Sequence, residues 1–167
     1  MSPDITIRPL AAADAAGFRA LRMEALELHP DAFGASPADE AAIGDDVVAE
    51  RLARGDTFGA FAGGDLVGMA GFFVQAGEKR RHRGTLWGMY VRPAWRGRGI
   101  AGRLVDRVLA HAAGRVELVQ LSVTAGNGGA RRLYESRGFV AYGVEARALK
   151  LPTGHVDEVL MARMLVP

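Results

Sequence analysis

Glycines and arginines alternate in one short segment of the sequence, and this pattern is suited to binding phosphate. The segment reads Arg96-Gly97-Arg98-Gly99-Ile100-Ala101-Gly102 and lies between a predicted strand and a predicted helix. The first N–H groups of a helix have no partner within it, and the helix dipole adds partial positive charge there. Glycines let a ligand approach these groups closely, and Arg96, Arg98 and Arg103 add mobile positive charge. A phosphate or pyrophosphate site is therefore predicted here, although the glycines are also compatible with a plain tight turn.

The spacing Gly97-x-Gly99-x-x-Gly102 also satisfies the pattern of dinucleotide-binding proteins. In that pattern the first glycine ends the strand directly, whereas Arg92–Arg96 intervenes here. An acidic residue is expected about 20 positions further on, where this sequence has Leu121–Thr124. A P-loop would need lysine and then serine or threonine after its glycines, and Gly102 is followed by arginine and leucine. A dinucleotide-binding protein is therefore an alternative that several features oppose.

A second segment with a distinctive pattern follows after one more helix and strand. It reads Asn127-Gly128-Gly129-Ala130-Arg131-Arg132-Leu133-Tyr134-Glu135-Ser136-Arg137-Gly138-Phe139. It is similar to a signature of the GNAT acetyltransferases, Asn-x-x-Ala-x-x-Leu-Tyr-x-x-x-Gly-Phe. Arg96–Ala101 resembles the other signature of that family, Gln/Arg-x-x-Gly-x-Gly/Ala, and follows the strand end Tyr90-Val91-Arg92-Pro93. With both signatures in order, the resemblance covers nearly the whole chain.

The resemblance implies an acyltransferase that moves acetyl from acetyl-CoA directly to an amine of a small molecule, an amino acid or a peptide. In similar proteins the pantetheine arm lies in a gap between the strands that match Thr85–Val91 and Val116–Val123. By similarity, the backbone of Met89 and Val91 pairs with the pantetheine amides, and the N–H of Tyr90 polarises the thioester carbonyl, as a preorganised donor does for an oxyanion. The residues implied in cofactor binding are Met89, Tyr90, Val91, Arg96, Gly97, Arg98, Gly99, Ile100, Ala101, Gly102, Asn127 and Tyr134.

Tyr134 corresponds to the family tyrosine that protonates the departing CoA thiolate, so it is the predicted catalytic residue, acting as a general acid. Such assistance accelerates a reaction by about 10²–10⁴-fold. On spacing alone, a core tyrosine beside Leu133 explains the position equally well. Asn127 also has two interpretations that can coexist: the N-cap of a helix, which contributes about 1 kcal/mol, and a contact to the pantetheine.

The sequence assigns no general base, although an ammonium must lose a proton before or during its attack on a thioester. The position at which some relatives carry a catalytic glutamate is Ser122. A water relay is one alternative, and a non-catalytic acyl-CoA sensor is another. Candidate bases by residue type alone are Glu24, Glu27, His29, Glu78 and His82.

Two further segments are expected to select the acceptor. His29–Gly34 resembles a stretch found in a GNAT subgroup and is expected on the acceptor side of the groove. A helix–helix turn with Phe33 as a core plug is an equal interpretation. The hairpin around His155 could form a second wall of the acceptor site.

The periodicity of the sequence predicts the elements that position these residues. Strands are predicted at Ile5–Arg8, Thr57–Ala62, Leu66–Gln75, Thr85–Val91, Val116–Val123, Phe139–Leu151 and Val156–Leu165. The first predicted helix carries Phe18, Leu21, Ala25 and Leu28 on one face. Further helices are predicted over Pro37–Ala53 with a division at Gly44, from Arg98 to about His111, and over Asn127–Arg137. The order predicts an α/β (α+β) fold: a GNAT-like mixed, mostly antiparallel sheet flanked by helices, in a single N-acetyltransferase domain over residues 1–167.

Composition opposes several other classes of protein. The sequence has 167 residues and no cysteine, so we expect one domain without disulfides, and no metal site is predicted. The net charge of +2 and the scattered aromatics, 7% of residues, oppose a nucleic-acid partner. Met1–Asp4 lacks the features of a secretory signal, and no apolar run approaches the roughly 20 residues of a membrane span, so a cytoplasmic protein is expected. The open edge of such a sheet can pair between copies, so a homodimer is a further expectation.

Overall fold

Seven strands form one sheet in the computed structural model, which describes residues 3–166. The strands are β1 Ile5–Pro9, β2 Thr57–Ala62, β3 Asp65–Val74, β4 Arg83–Val91, β5 Leu118–Thr124, β6 Val140–Leu151 and β7 Gly154–Met164. Their spatial order is β1-β2-β3-β4-β5-β7-β6, and all neighbours are antiparallel except β4 and β5, which are parallel. The predicted mixed, mostly antiparallel sheet is therefore confirmed. The doubly wound parallel sheet of a dinucleotide-binding protein is not formed by these strands.

Helices cover both faces of this sheet. They are α1 Ala15–Leu28, α2 Pro37–Ala41, α3 Asp45–Ala53, α4 Ile100–Ala112 and α5 Gly128–Ser136. Ser36 begins α2 with a capping box, in which its hydroxyl accepts from Asp39 N–H and the Asp39 carboxylate accepts from Ser36 N–H. Gly44 separates α2 from α3, as the sequence predicts. No helix between residues 3 and 166 combines the length and apolarity needed to cross a membrane.

Each face of the sheet carries its own buried core, because alternate residues of a strand point to opposite faces. On one face, Leu104 and Val108 of α4 pack against β-strand residues that include Phe58. On the other face, Phe18 of α1 and Leu52 of α3 join Phe61, Leu66 and Met69. Burial of each large apolar side chain contributes roughly 1.5–3 kcal/mol, so both helical layers are held mainly by the sheet between them.

Some predicted boundaries and one predicted core position are wrong. Leu28 was expected on the buried face of α1, but it is 58% exposed because it is the last helical residue and the chain turns away at His29. Helix α4 begins at Ile100 and not at Arg98, since Gly99 adopts a left-handed conformation with φ +73° that ends the preceding turn.

The ladder between β4 and β5 is short. It comprises Arg83↔Leu118, Gly84↔Val119 and Thr85↔Gln120. Beyond these pairs β4 continues along β3 as far as Val91↔Gly68, and β5 continues along β7 as far as Thr124↔Glu158. The two central strands therefore diverge towards their carboxyl ends and leave a wedge-shaped gap in the sheet. Gly88, with φ +66°, lies in the diverging part of β4.

We expect Gly71→Ala to destabilise the protein, because a Cβ at Gly71 would clash with the indole of Trp87 on the neighbouring strand. Overpacking of this kind costs typically about 1–3 kcal/mol of unfolding free energy, which urea denaturation measures directly. Gly64→Ala is the matched control, since a Cβ there meets nothing within 4 Å and the backbone is not left-handed. Equal stability of the two variants would contradict the close packing of Trp87 on Gly71.

Candidate functional site

A cavity of about 540 Å³ occupies the gap between β4 and β5. The residues that line it include Met89, Tyr90 and Val91 from β4, Thr124 from β5, and Asn127, Gly129 and Ala130 from the start of α5. The segment after α1 forms another wall, with His29, Asp31, Ala32 and Phe33. This wall is fastened to β5, because Thr124 Oγ1 donates a hydrogen bond of 2.6 Å to the carbonyl oxygen of Asp31. Since β5 does not pair with β4 here, this edge of the β4 backbone is available to a ligand.

A second cavity, of about 190 Å³, lies at the start of α4 and meets the first at Val91, Arg96 and Ala101, which line both. Gly97 and Gly99 have φ of +74° and +73°, a conformation that glycine adopts without strain. No side chain caps α4, and the backbone bond closing its first turn runs from Arg103 N to Gly99 O at 3.1 Å. The N–H groups of Ile100, Ala101 and Gly102 therefore have no helical partner at the point where these residues line the cavity.

The arginines near this helix start do not behave as the sequence predicts. Arg103 was expected to add mobile charge, but its Nη2 donates to the carbonyl oxygen of Ile5 at 2.9 Å, away from the glycines. Arg96 is also held, because its Nε donates to Val91 O at 2.9 Å and its Nη2 lies 3.1 Å from His29 Nε2. Arg98 is stacked over the Trp95 ring at 4.7 Å.

Arg137 is a residue of this cavity that the sequence analysis missed. Its guanidinium lies so close to Gly102 that a Cβ there would clash with it, and it is oriented by Asp106, 3.3 Å from its Nε, and by Ser136 Oγ at 3.0 Å. Arg137 precedes Gly138 in the second signature, but this variable position carried no signal of its own. Together with the free N–H groups of α4, its charge makes this cavity suited to an anion.

Most of the predicted cofactor residues line one or both of these cavities. The exceptions are Arg98 and Tyr134. Tyr134 is 5% exposed, belongs to the core on the α4 face, and packs edge-on against Phe139 with ring centroids 5.8 Å apart. Burial raises the pKa of its phenol well above the ordinary value, because a buried site disfavours the charged phenolate. Asn127 caps α5, with its Oδ1 accepting from Ala130 N at 3.1 Å.

The candidate bases are scattered. Glu24 is engaged by the Tyr90 hydroxyl and by Arg92 Nε, both at 3.0 Å. Burial, with the hydrogen bond to this carboxylate, raises the pKa of the Tyr90 phenol. His29 lines the larger cavity, but its Nε2 lies against the guanidinium of Arg96. Because a guanidinium can only donate hydrogen bonds, His29 Nε2 is the acceptor in this pair. Glu27, Glu78 and His82 line neither cavity, and Ser122 is exposed on β5.

The two cavities fit an elongated ligand that carries a diphosphate at one end and amide groups along its length. The helix start and Arg137 match the diphosphate, and the unpaired edge of β4 matches the amides. Pantetheine diphosphate, the common part of coenzyme A compounds, has this chemistry, so the residues present fit acetyl-CoA.

Comparison with known proteins agrees with this geometry. A model of the acetyltransferase (GNAT) family matches residues 18–139. No curated protein matches the chain in sequence. The matched residues include both of the segments that line the cavities at α4 and α5.

Solved structures with the same fold cover nearly the whole chain. An acetyltransferase of the GNAT family from Streptococcus pneumoniae has a TM-score of 0.85 at 24% identity, with 97% of this chain and 99% of that chain covered. The protein yncA from Salmonella typhimurium, solved with its cofactor acetyl-CoA, has a TM-score of 0.83 at 21% identity, with 98% and 95% covered. A ribosomal-protein-alanine N-acetyltransferase from Brucella melitensis has a TM-score of 0.80 at 23% identity, with 96% and 99% covered.

We expect Arg137→Gln to weaken the binding of CoA about tenfold, because a hydrogen bond to a charged group contributes roughly 1.5–3 kcal/mol and this side chain is partly solvated. Isothermal titration calorimetry with CoA measures the change. Arg131→Gln on α5, the helix that ends just before Arg137, is the matched control, since Arg131 pairs with Glu135 and lines neither cavity. An affinity that is unchanged in Arg137→Gln, or equally reduced in both variants, would exclude Arg137 from the anion site.

Proposed function

The chain belongs to the acetyltransferase (GNAT) family and is an acyltransferase, and we propose that it moves the acetyl group of acetyl-CoA directly to an amine of a small molecule, an amino acid or a peptide. The observation that carries this proposal is the junction of two cavities: the open start of α4 meets the gap between β4 and β5 at Val91, Arg96 and Ala101. We further propose that residues 1–167 function as one N-acetyltransferase domain, since a single sheet joins β1 to β7. A cytoplasmic location stays a prediction.

The proposed cofactor contacts follow from the position of each group. The N–H groups of Ile100, Ala101 and Gly102 and the guanidinium of Arg137 hold the diphosphate. The backbone of Met89 and Val91 pairs with the pantetheine, and the pantetheine takes the place of β5, which does not pair with β4 along this edge. Asn127 keeps the first turn of α5 in place beside the gap through its Oδ1, which accepts from Ala130 N. In this proposal its side-chain NH₂ group contacts the pantetheine.

The chemistry needs an activated acyl carbon, which acetyl-CoA supplies as a thioester. In this proposal the backbone N–H of Tyr90, a residue that lines the gap, polarises the carbonyl oxygen, and the walls of the gap hold the amine beside it. As the new C–N bond forms and the C–S bond breaks, Tyr134 donates its phenolic proton to the sulfur. The second proton that the nitrogen loses, after the one removed before its attack, restores the phenol. Ala130 lies one turn before Tyr134 on the same face of α5 and lines the gap. This position supports a Tyr134 side chain that is directed towards the gap.

We infer that the proton of the acceptor ammonium leaves to water. By the family resemblance, Ser122 occupies the position at which some relatives carry a glutamate base, and it is exposed to solvent. Glu24 is held by Tyr90 and Arg92, so it is not free to accept a proton from the amine. The same serine favours a second candidate function, a sensor that binds acetyl-CoA without turnover.

The deciding experiment is an assay of free thiol with acetyl-CoA and a panel of amines, amino acids and peptide amino termini. The proposed function predicts release of CoA that depends on the amine. Thermal-shift titration separates the alternatives further, because a ligand that binds the folded state raises its melting temperature. A shift with acetyl-CoA but no CoA release with any amine would indicate the sensor, and a shift with NAD alone would contradict the proposal.

We expect Tyr134→Phe to lower kcat by about 10²–10⁴-fold with little change in acetyl-CoA affinity, because a general acid contributes that much to the rate and phenylalanine keeps the packing against Phe139. Steady-state kinetics and a CoA titration measure the two quantities. Tyr142→Phe is the control, since Tyr142 is 56% exposed on β6. An unchanged kcat in Tyr134→Phe would remove this residue from the mechanism.

We also infer that two copies of the chain pair through β6. This strand is at the edge of the sheet, and Val140, Tyr142 and Val144 expose 68%, 56% and 63% of their surface there. A long unpaired edge with apolar side chains is a template for another strand, and two identical antiparallel edges can satisfy each other around a twofold axis. A second copy of this chain is therefore the partner we propose for this edge.

We expect the double variant Val140→Lys, Val144→Lys to sediment as a monomer under conditions in which the native chain is a dimer, because the added charges repel across the twofold axis. Analytical ultracentrifugation gives the mass of each species. Val47→Lys on α3 is the control, since Val47 is 42% exposed and distant in sequence and sheet order from β6. A native chain that is monomeric at high concentration would overturn the proposed pairing.

A further inference from the structure

Arg22 of α1 is a buried arginine with an unused hydrogen-bonding group. Its side chain is 9% exposed, and its Nε lies 3.4 Å from Oε2 of the buried Glu40 on α2. Its Nη1 is buried and has no hydrogen-bond partner among residues 3–166. An unpaired buried group of this kind is costly and needs an explanation, and a bound anion or ligand is one that its chemistry allows.

The surroundings hold the guanidinium in one position. It lies over the ring of Trp87 at 5.4 Å and over the ring of Phe33 at 5.5 Å, while Glu40 holds its Nε edge. Aromatic faces stabilise a guanidinium without using its N–H groups, so they orient Nη1 and leave it able to donate.

A cavity of about 440 Å³ lies beside this group, and Arg22, Glu40 and Trp87 line it. Arg51 and Arg54 also line the cavity, whereas its only other carboxylate among the described residues, Asp56, is held by His111 at 2.7 Å and by Arg115 at 2.9 Å. The cavity is therefore lined by three guanidinium groups and by two carboxylates that are both already paired, and this excess of positive charge favours an anionic guest.

This cavity adjoins the proposed transfer site. Nη1 lies 3.7 Å from the position that a Cβ would occupy on Gly88. Gly88 stands between Trp87, which lines this cavity, and Met89, which lines the gap between β4 and β5. Phe33 contacts Arg22 on one side and lines the gap on the other. An amine in the gap could therefore place a neighbouring group against Nη1.

We propose that Arg22 binds the carboxylate of the acceptor, so that the acceptor is an amine that also carries a carboxylate, such as a free amino acid. This inference rests on the proposed acetyl transfer and narrows its substrate class. A planar guanidinium donates well to a carboxylate oxygen in a charge-assisted hydrogen bond. A polyamine or an internal lysine of a protein has no such group and would leave Nη1 buried and unpaired.

The test compares each free amino acid except cysteine, whose own thiol would react in the assay, with its primary amide, using acetyl-CoA and the release of free thiol. The native chain is expected to show a higher kcat/KM for one or more amino acids than for their amides. Arg22→Gln is expected to reduce this ratio of kcat/KM values about 10- to 100-fold, which is the range for the loss of a hydrogen bond to a charged group. The change in the ratio between native and variant is the quantity measured, because it cancels the different basicity of the two amines.

Arg19→Gln is the matched control on the same helix. Arg19 also bridges α1 to the next helices, donating to Ile43 O at 2.7 Å, but it does not line the cavity. Its loss should lower stability without changing the preference for carboxylates. Arg22→Lys keeps a buried cation and should retain part of the preference if Arg22→Gln fails to fold.

The outcomes separate this inference from the proposed function. Turnover of polyamines or peptides with no carboxylate preference overturns the role of Arg22 and leaves the acetyltransferase intact. A preference that Arg22→Gln retains also overturns it. If no amine is turned over, the proposed function fails, but binding at Arg22 is still measured by the thermal shift that the same amino acids cause in the presence of CoA. A shift of the native chain that is lost in Arg22→Gln supports carboxylate binding by Arg22. The absence of any shift in the native chain contradicts it.

Discussion

The early end of the β4–β5 ladder is the constraint on which the rest of the site depends. Two parallel strands in the centre of a sheet would ordinarily pair along their whole length, because unpaired backbone groups in a protein interior are costly. Here the pairing stops at Thr85↔Gln120, and each strand continues with its outer neighbour instead. The backbone between Leu86 and Val91 is thereby reserved on one edge for a ligand that can replace a strand.

The gap also decides where the two helix starts meet. Because β4 runs into α4 and β5 runs into α5, the diverging carboxyl ends bring Gly99 and Asn127 to the same end of the sheet. The two starts differ in how their N–H groups are satisfied. Asn127 caps α5 with its own side chain, whereas α4 has no side-chain cap. Of these two helix starts, the start of α4 has no side-chain cap and its glycines line a cavity, so it is the start proposed to hold the diphosphate.

The sequence predicted those features that are determined locally. Strand alternation, the break at Gly44, the cap at Asn127 and the glycines of the α4 loop all act over a few residues, and the structure has them in place. The arginines were predicted poorly, since their partners are distant in the chain. Arg103 bonds to Ile5, and Arg137 reaches Asp106 on another helix. Arg22 gave no signal, because its burial depends on α2, β4 and the segment around Phe33 together.

Gly88 connects the two halves of the site. In a regular strand Trp87 and Met89 would lie on the same face of the sheet. The left-handed conformation of Gly88 breaks this alternation, so that Trp87 packs with the core under α1 while Met89 packs with the core under α4. Consecutive side chains of one strand thus line different cavities, the one beside Arg22 and the gap between the strands. A single backbone conformation that glycine adopts without strain therefore places the candidate acceptor pocket and the candidate cofactor cleft on either side of Gly88.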